Sequence, residues 1–349
     1  MSIDDLVQQA LQVFEPPGIL IALAVILTMI TVFAHVDGST RQAERVDRDW
    51  LAPESSVVLW VDIALPEPSA VDVLGGTFRF HELSIEDAIA ELHHPKVESY
   101  EGYLYLILHG IAFQPGREAF ATHDIDFFLG QHYLVTVHDG TSRSIARIKE
   151  VCARNERFLG EGPGALMHRI IDTMVDHYAP EVDQLDDRLE ALEEDVLEGR
   201  GEDIVRRIVE LKRDVGLLKR ITVPQRDAVA RLARREYPAI DETLTYRFRD
   251  VYDHLVRFTE EANTFHDRVT ALLDAHLSFM SNRLNEVMKV LTLIATIFMP
   301  LAVLTGLYGM NVALPHLPGG ERVQFWWIAG MMAALGVGMG WWFHRRRWW

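Results

Sequence analysis

A single cysteine, Cys152, stands in 349 residues. No internal disulfide can form, and metal sites built from several thiolates are excluded. Basic residues are also scarce, with 34 Lys and Arg against 51 Asp and Glu and a formal net charge of −17. Nucleic-acid binders need basic faces, so nucleic acid is not expected as a partner. An acidic surface suits cations, whose local concentration it raises. Enzyme signatures are missing too: the chain has no G-x-x-x-x-G-K-[ST], no G-x-S-x-G and no H-E-x-x-H. With neither a phosphate cradle nor an activated nucleophile legible, the expectation is a protein that is not an enzyme and uses no organic cofactor.

Apolar residues make up 49% of the chain, an ordinary share, but the longest apolar runs lie near its ends. Residues 290–308, VLTLIATIFMPLAVLTGLY, and 323–343, VQFWWIAGMMAALGVGMGWWF, carry no charge. Each is long enough to cross a hydrocarbon core of about 30 Å. The second run has Trp326 and Trp327 at one end and Trp341 and Trp342 at the other. On a helix these pairs are ~24 Å apart, the spacing of two interfacial aromatic belts. Arg283 and Lys289 precede the first run, and HRRRWW follows the second, whereas the loop 309–322 holds only Arg322, beside Glu321. The positive-inside rule then puts both termini and most of the chain in the cytoplasm, and the short loop outside a plasma or inner membrane.

The segment Ile19–Ala34 is apolar but short for a span, and it reads as a signal-like stretch, a third helix or the start of a strand. Ile30, Val32, Ala34 and Val36 alternate with Thr31, Phe33 and His35 before Asp37-Gly38. This pattern favours a strand entering a turn, with Met29 as the start and 1–28 as an extension outside the native fold. Further strands are predicted at 57–63, 103–113, 124–130 and 132–138, with helical stretches near 67–78, 83–92 and 142–157. From about 163 the periodicity is helical throughout. One run ends at Gly199, a second covers about 202–236, and a third begins near Ile240 and meets no Pro or Gly before the first apolar run.

The expected organisation is an α/β domain at 29–160, a helical hairpin at 161–238, a stalk helix at 239–289, and a first membrane helix at 290–308. The outer loop 309–322, a second membrane helix at 323–343 and a basic tail at 344–349 follow. A stalk plus span of about 100 Å needs lateral partners, and two spans cannot enclose a polar path alone. Both considerations point to a homo-oligomer in the lipid bilayer.

Helical steps from Asn285 pass Met288, Leu291 or Thr292, Ala295, Met299, Ala302 and Gly306. Small residues at 295, 302 and 306 allow close helix approach, and Met288 with Leu291 can form an apolar constriction that gates by excluding water. Pro300 removes one backbone hydrogen bond, a source of a bend. Gly306 and Gly309 let the helix end, and Asn311 follows at the outer mouth. A ring of neutral amide oxygens can hold the waters of a hydrated ion without stripping them.

These residues, within SNRLNEVMKVLTLIATIFMPLAVLTGLYGMN, resemble the CorA magnesium transporter family, and the resemblance runs from about residue 30 to 349. It implies a funnel-shaped homopentameric channel, with Gly309, Met310 and Asn311 as selectivity motif and Asn285, Met288, Leu291, Met299 and Gly306 at pore positions. It also implies that Mg2+ is both the transported divalent cation, with cobalt or nickel as further cargo, and a regulatory ligand holding the closed state. For that second site it points to Glu86, Asp87 and Asp250, carboxylates that a hard ion would bridge between neighbouring subunits. The outer loop VALPHLPGG departs from the magnesium branch in lacking an early acidic residue. A proton-coupled ZntB-type zinc transporter is the alternative there, since His316 suits zinc better than magnesium. A membrane-anchored sensor or scaffold that transports nothing would leave the stripe ending at Asn311 unexplained.

Overall fold

A computed structural model describes residues 29–90, 94–114, 119–199, 203–310 and 321–348. The extension 1–28, His93, Asn311 and the outer loop as far as residue 320, including His316, lie outside the described residues.

Strands β1 (Ile30–Val36) and β2 (Ser39–Ala43) form a hairpin whose two turn residues, Asp37 and Gly38, have φ of 50° and 79°. Two consecutive positive φ values match the twist of a two-residue hairpin, which is why Asp-Gly stands there. Beyond them come β3 (Val58–Ala64), β4 (Lys96–Tyr100), β5 (Tyr103–Gln114), β6 (Ala119–Gly130) and β7 (Tyr133–His138). They form one sheet in the order β2-β1-β3-β7-β6-β5-β4, antiparallel except for the parallel pair β3 and β7.

The period of two sends alternate residues to two cores. Val32, Ala34, Leu59, Val61, Ile63, Val135 and Val137 pack against Leu74, Phe80 and Ala88, around a π-helical turn at Asp72–Thr77 and helix α1 (Glu82–Ile89). Phe33, Trp60, Phe127 and Leu134 are buried on the other face. There the sheet meets α3 (Pro163–Asp176), α4 (Tyr178–Glu198) and α5 (Ile204–Ala233), while α2 (Arg143–Arg154) packs on β2. Both faces of the central strands are therefore covered, as a sheet with a parallel pair requires.

Helix α6 runs without interruption from Glu242 to Tyr308, 67 residues, and continues through Pro300. Helix α7 covers Glu321–Arg345 and carries both Trp pairs. Each of these two helices contains a stretch long and apolar enough to cross a membrane. One compact unit ends at Thr270 and a second begins at Ala271.

Three local expectations differ from the structure. Strands β2 and β4 are absent from the sequence reading, and both are edges of the sheet. Edge strands are short and polar because one side of their backbone is unpaired, and STRQA and KVESY carry no alternation to detect. The helical stretch near 67–78 is only the π-helical turn at Asp72–Thr77. The helical run from 163 to 199 breaks at His177, because Pro180 has no N–H to offer the carbonyl of Asp176. Tyr178, the first residue beyond the break, is buried, donates to the His109 carbonyl at 2.7 Å and accepts from Gln225 at 3.1 Å.

One charge lies wholly inside the sheet. Asp62 on β3 accepts from Thr136 at 2.5 Å, lies 3.2 Å from His138 Nε2, and pairs with Lys149 of α2. Trp60 donates to the same Thr136 hydroxyl at 3.1 Å. Burial alone would raise the Asp62 carboxyl, but His138 and Lys149 outweigh it and hold the group at about 2. His138 is thereby a structural histidine, and His132 is likewise bonded, to the Pro53 carbonyl at 3.0 Å.

Candidate functional site

The stripe read from Asn285 lies on α6. Between Leu291 and Tyr308, the residues partly covered within the chain are Leu293, Ile297, Pro300, Leu301, Leu304 and Tyr308. At 100° per residue these six cluster on one side of the helix, and Asn285, Met288, Leu291, Ala295, Met299, Ala302 and Gly306 centre roughly 180° away. All seven are exposed, with Met288 at 57%, Leu291 at 59% and Met299 at 72%. The chain covers one side of this helix and leaves the stripe bare.

The two glycines at its end differ. A Cβ on Gly306 would meet nothing within 4 Å, so no neighbour inside the chain demands a glycine there. A Cβ on Gly309 would lie 2.8 Å from the Thr305 carbonyl oxygen, which accepts the Gly309 N–H at 2.9 Å. The helix thus closes on a residue that must be glycine, and Met310 follows, exposed. The hydroxyls of Thr292 and Thr305 are turned back onto the carbonyls of Met288 and Ala302, at 2.7 and 3.0 Å. Within the described residues the stripe from Met288 to Gly306 therefore offers only apolar side chains and glycine.

The carboxylates occupy two places in the other unit. Glu86 and Asp87 lie in the last turn of α1, Glu86 exposed and Asp87 half-buried. This helix is fastened to β5, where Tyr103 OH accepts from the His81 N–H at 3.0 Å and is 2.8 Å from Ser84 Oγ. Lys96, on the edge strand β4, donates to Asp87 Oδ2 at 2.6 Å and stands 3.2 Å from Glu98 Oε1. Burial works against the Lys96 charge, yet the hydrogen bonds to Asp87 and Glu98 prevail and hold the ammonium above its usual range.

Behind Lys96, at 5.7 Å from its ring centroid, lies Tyr105, which donates to the buried Asp126 at 2.5 Å. Burial pushes the Asp126 carboxyl up to about 8, against the hydrogen bond from Tyr105 that lowers it, with Asp124 and Asp87 adding to the rise. Among the described residues, the carboxylates that pair with Lys96 are those of Asp87 and Glu98.

Asp250 is exposed on α6, whose neighbours Phe248 and Val251 turn inward. Its charge is felt by Asp172 on α3. Burial raises the Asp172 carboxyl, His168 opposes this, and Asp176 and Asp250 add to it. Among the described residues of one chain, no three His, Cys, Asp or Glu side chains come together as a metal group, so Glu86, Asp87 and Asp250 do not form a site within it. Their oxygen-only chemistry suits a hard divalent ion; Glu86 and Asp250 are exposed, and Asp87 is half-buried with the Lys96 ammonium on it. Lys96 and Asp172 are absent from the sequence reading. Neither carries a motif, and each acts through a neighbour supplied by another element.

Residues 55–345 match the family model described as CorA-like Mg2+ transporter protein. The chain belongs to this family. It is 32% identical to the cobalt/magnesium transport protein CorA of Thermotoga maritima, covering 85% of each chain. It is also 26% identical to the zinc transport protein ZntB of Yersinia enterocolitica, over 83% of this chain and 87% of that one. In three dimensions it resembles the complete structure of the CorA magnesium transporter from Methanocaldococcus jannaschii, with a TM-score of 0.78 and 21% identity, covering 92% of this chain and 99% of that one. This CorA-like chain is accordingly a membrane transporter of divalent metal ions, built from an α/β domain, a long helix and a second apolar helix.

Proposed function

We propose that this CorA-like chain is one subunit of a funnel-shaped homopentameric channel that admits hydrated Mg2+ to the cytoplasm. The observation that carries the reading is the bare stripe on α6, opposite the covered side of the helix and ending in Gly306, Gly309 and Met310. Five such stripes around one axis make a narrow apolar wall, in which the Met288 and Leu291 rings exclude water when closed. Asn311 forms the outer ring, where amide oxygens accept hydrogen bonds from the ion's waters. Transport runs down the electrochemical gradient, to which a membrane potential adds about 2.3 kcal/mol per charge per 100 mV.

Intracellular Mg2+ regulates this channel between subunits, at Glu86 and Asp87 of one copy and Asp250 of the next. Filling the site favours the closed arrangement, and emptying it leaves like charges opposed and loosens the interface. Asp250→Lys is expected to preserve assembly but abolish magnesium-dependent protection of the full chain from protease. Unchanged protection would remove Asp250 from the site.

Ion uptake into proteoliposomes tests the cargo. Magnesium influx that proceeds without a proton gradient, with cobalt or nickel competing, supports the channel. Zinc uptake that requires a proton gradient would replace it with a zinc transporter, and absence of flux for every divalent ion would contradict both.

A further inference from the structure

The proposed regulatory carboxylate Asp87 has a cation on it already: the Lys96 ammonium, 2.6 Å from Oδ2. Lys96 is held in place from several directions. Its backbone pairs with Ile107 on β5, its nitrogen lies 5.7 Å from the Tyr105 ring centroid, and Glu98 Oε1 is a second acceptor at 3.2 Å. Glu98 is itself fixed by the Tyr100 hydroxyl, which donates to Oε2 at 3.1 Å. One ammonium therefore lies between two carboxylates, only one of which belongs to the proposed ion site.

We propose that Lys96 is an internal competitor for the regulatory ion, and that its transfer from Asp87 to Glu98 sets the magnesium concentration at which the site fills. This rests on the reading of Asp87 as a regulatory ligand. A divalent ion and an ammonium on one carboxylate repel each other, so ion binding is favoured as Lys96 moves away from Asp87. Glu98 keeps the ammonium paired after it leaves, which makes the exchange cheap. The sensor is then tuned by the balance of two hydrogen bonds, 2.6 and 3.2 Å, rather than by the ion's ligands alone.

Two substitutions on either side of the exchange move the midpoint in opposite directions, which loss of packing does not do. Lys96→Met keeps the apolar stem and removes the competitor, so half-maximal protection from protease should come at roughly fivefold lower magnesium, the factor that corresponds to a partly exposed ion pair of about 1 kcal/mol. Glu98→Gln keeps an acceptor oxygen but removes the negative charge that receives the ammonium and should raise the midpoint, and Lys96→Arg, which keeps the competing cation, should not lower it. The full chain in lipid is titrated with MgCl2 for wild type, these three variants and Asp87→Asn. If wild type shows no magnesium-dependent protection, or Asp87→Asn leaves its midpoint unmoved, the regulatory reading fails and this inference with it. If wild type and Asp87→Asn behave as expected while Lys96→Met and Glu98→Gln match wild type, or shift the same way, the competitor role alone is overturned.

Discussion

Asn311→Ala should cut magnesium influx about tenfold or more while leaving the helices intact. Asn311 follows Met310 in sequence, just beyond the glycine that ends α6, and in the proposed channel it is where a hydrated ion first meets the protein. Below it the stripe is apolar as far as Met288, with the nearby threonine hydroxyls spent on their own backbone. Between Asn311 and Asn285 at the far end of the stripe, no other amide is placed to replace the lost hydrogen bonds to the ion's water shell. Losing even one such bond costs about 0.5–1.5 kcal/mol, and a tenfold change in rate corresponds to about 1.4 kcal/mol, so a ring of lost bonds exceeds that factor. Asn311→Asp separates charge from hydrogen bonding. A carboxylate ring should lower the half-saturating magnesium concentration and also lower the maximal rate, because the ion is released more slowly. Uptake of 28Mg or a fluorescent indicator in proteoliposomes reads both quantities. Wild-type flux in Asn311→Ala would remove the amide ring from the mechanism.

Lys149→Met should be the most damaging single change in the α/β unit. Asp62 has no exposed surface, and its stability as an anion depends on Lys149 and His138. Removing one partner of a buried pair leaves an uncompensated charge, a loss of about 3–5 kcal/mol and roughly 10 °C in the unfolding midpoint. The pH dependence has a definite sign. The folded carboxyl titrates at about 2 against an ordinary value of 3.8, so its contribution is fully present above 3.8 and is lost as pH falls through 2. The gap between wild type and Lys149→Met should therefore be wide at pH 7 and shrink below pH 4. Circular dichroism melts of the full chain check this, and a gap that widens in acid would contradict the pairing.

What the sequence made legible follows the physics of each element. The central strands read correctly because burial on both faces demands apolar residues, whereas the polar edges β2 and β4 gave no such signal. The long helix from near Ile240 was visible because it lacks Pro and Gly until Pro300, and the stripe on it because 3.6-residue spacing repeats over many turns. The charge network was invisible. Asp62, His138 and Lys149 come together from β3, β7 and α2, and Lys96 reaches Asp87 across two elements whose pairing no local pattern announces. The break at His177 could have been read from Pro180, which sits four residues beyond the carbonyl it cannot bond.

The claim on which the rest depends is that copies of the α6 stripe face one another. The chain suits a direct test, since its one thiol, Cys152, is buried and pushed up to about 12 by that burial, and so stays silent toward thiol reagents. A cysteine at Ala302, on the stripe, and one at Ile297, on the covered side, are treated in lipid with a short bifunctional thiol reagent. Ala302→Cys should yield a linked dimer, the largest product that one reactive thiol per chain allows, with Ile297→Cys remaining a single chain. A linked dimer from Ile297→Cys, or none from Ala302→Cys in a sample that still conducts magnesium, would contradict a shared axial path.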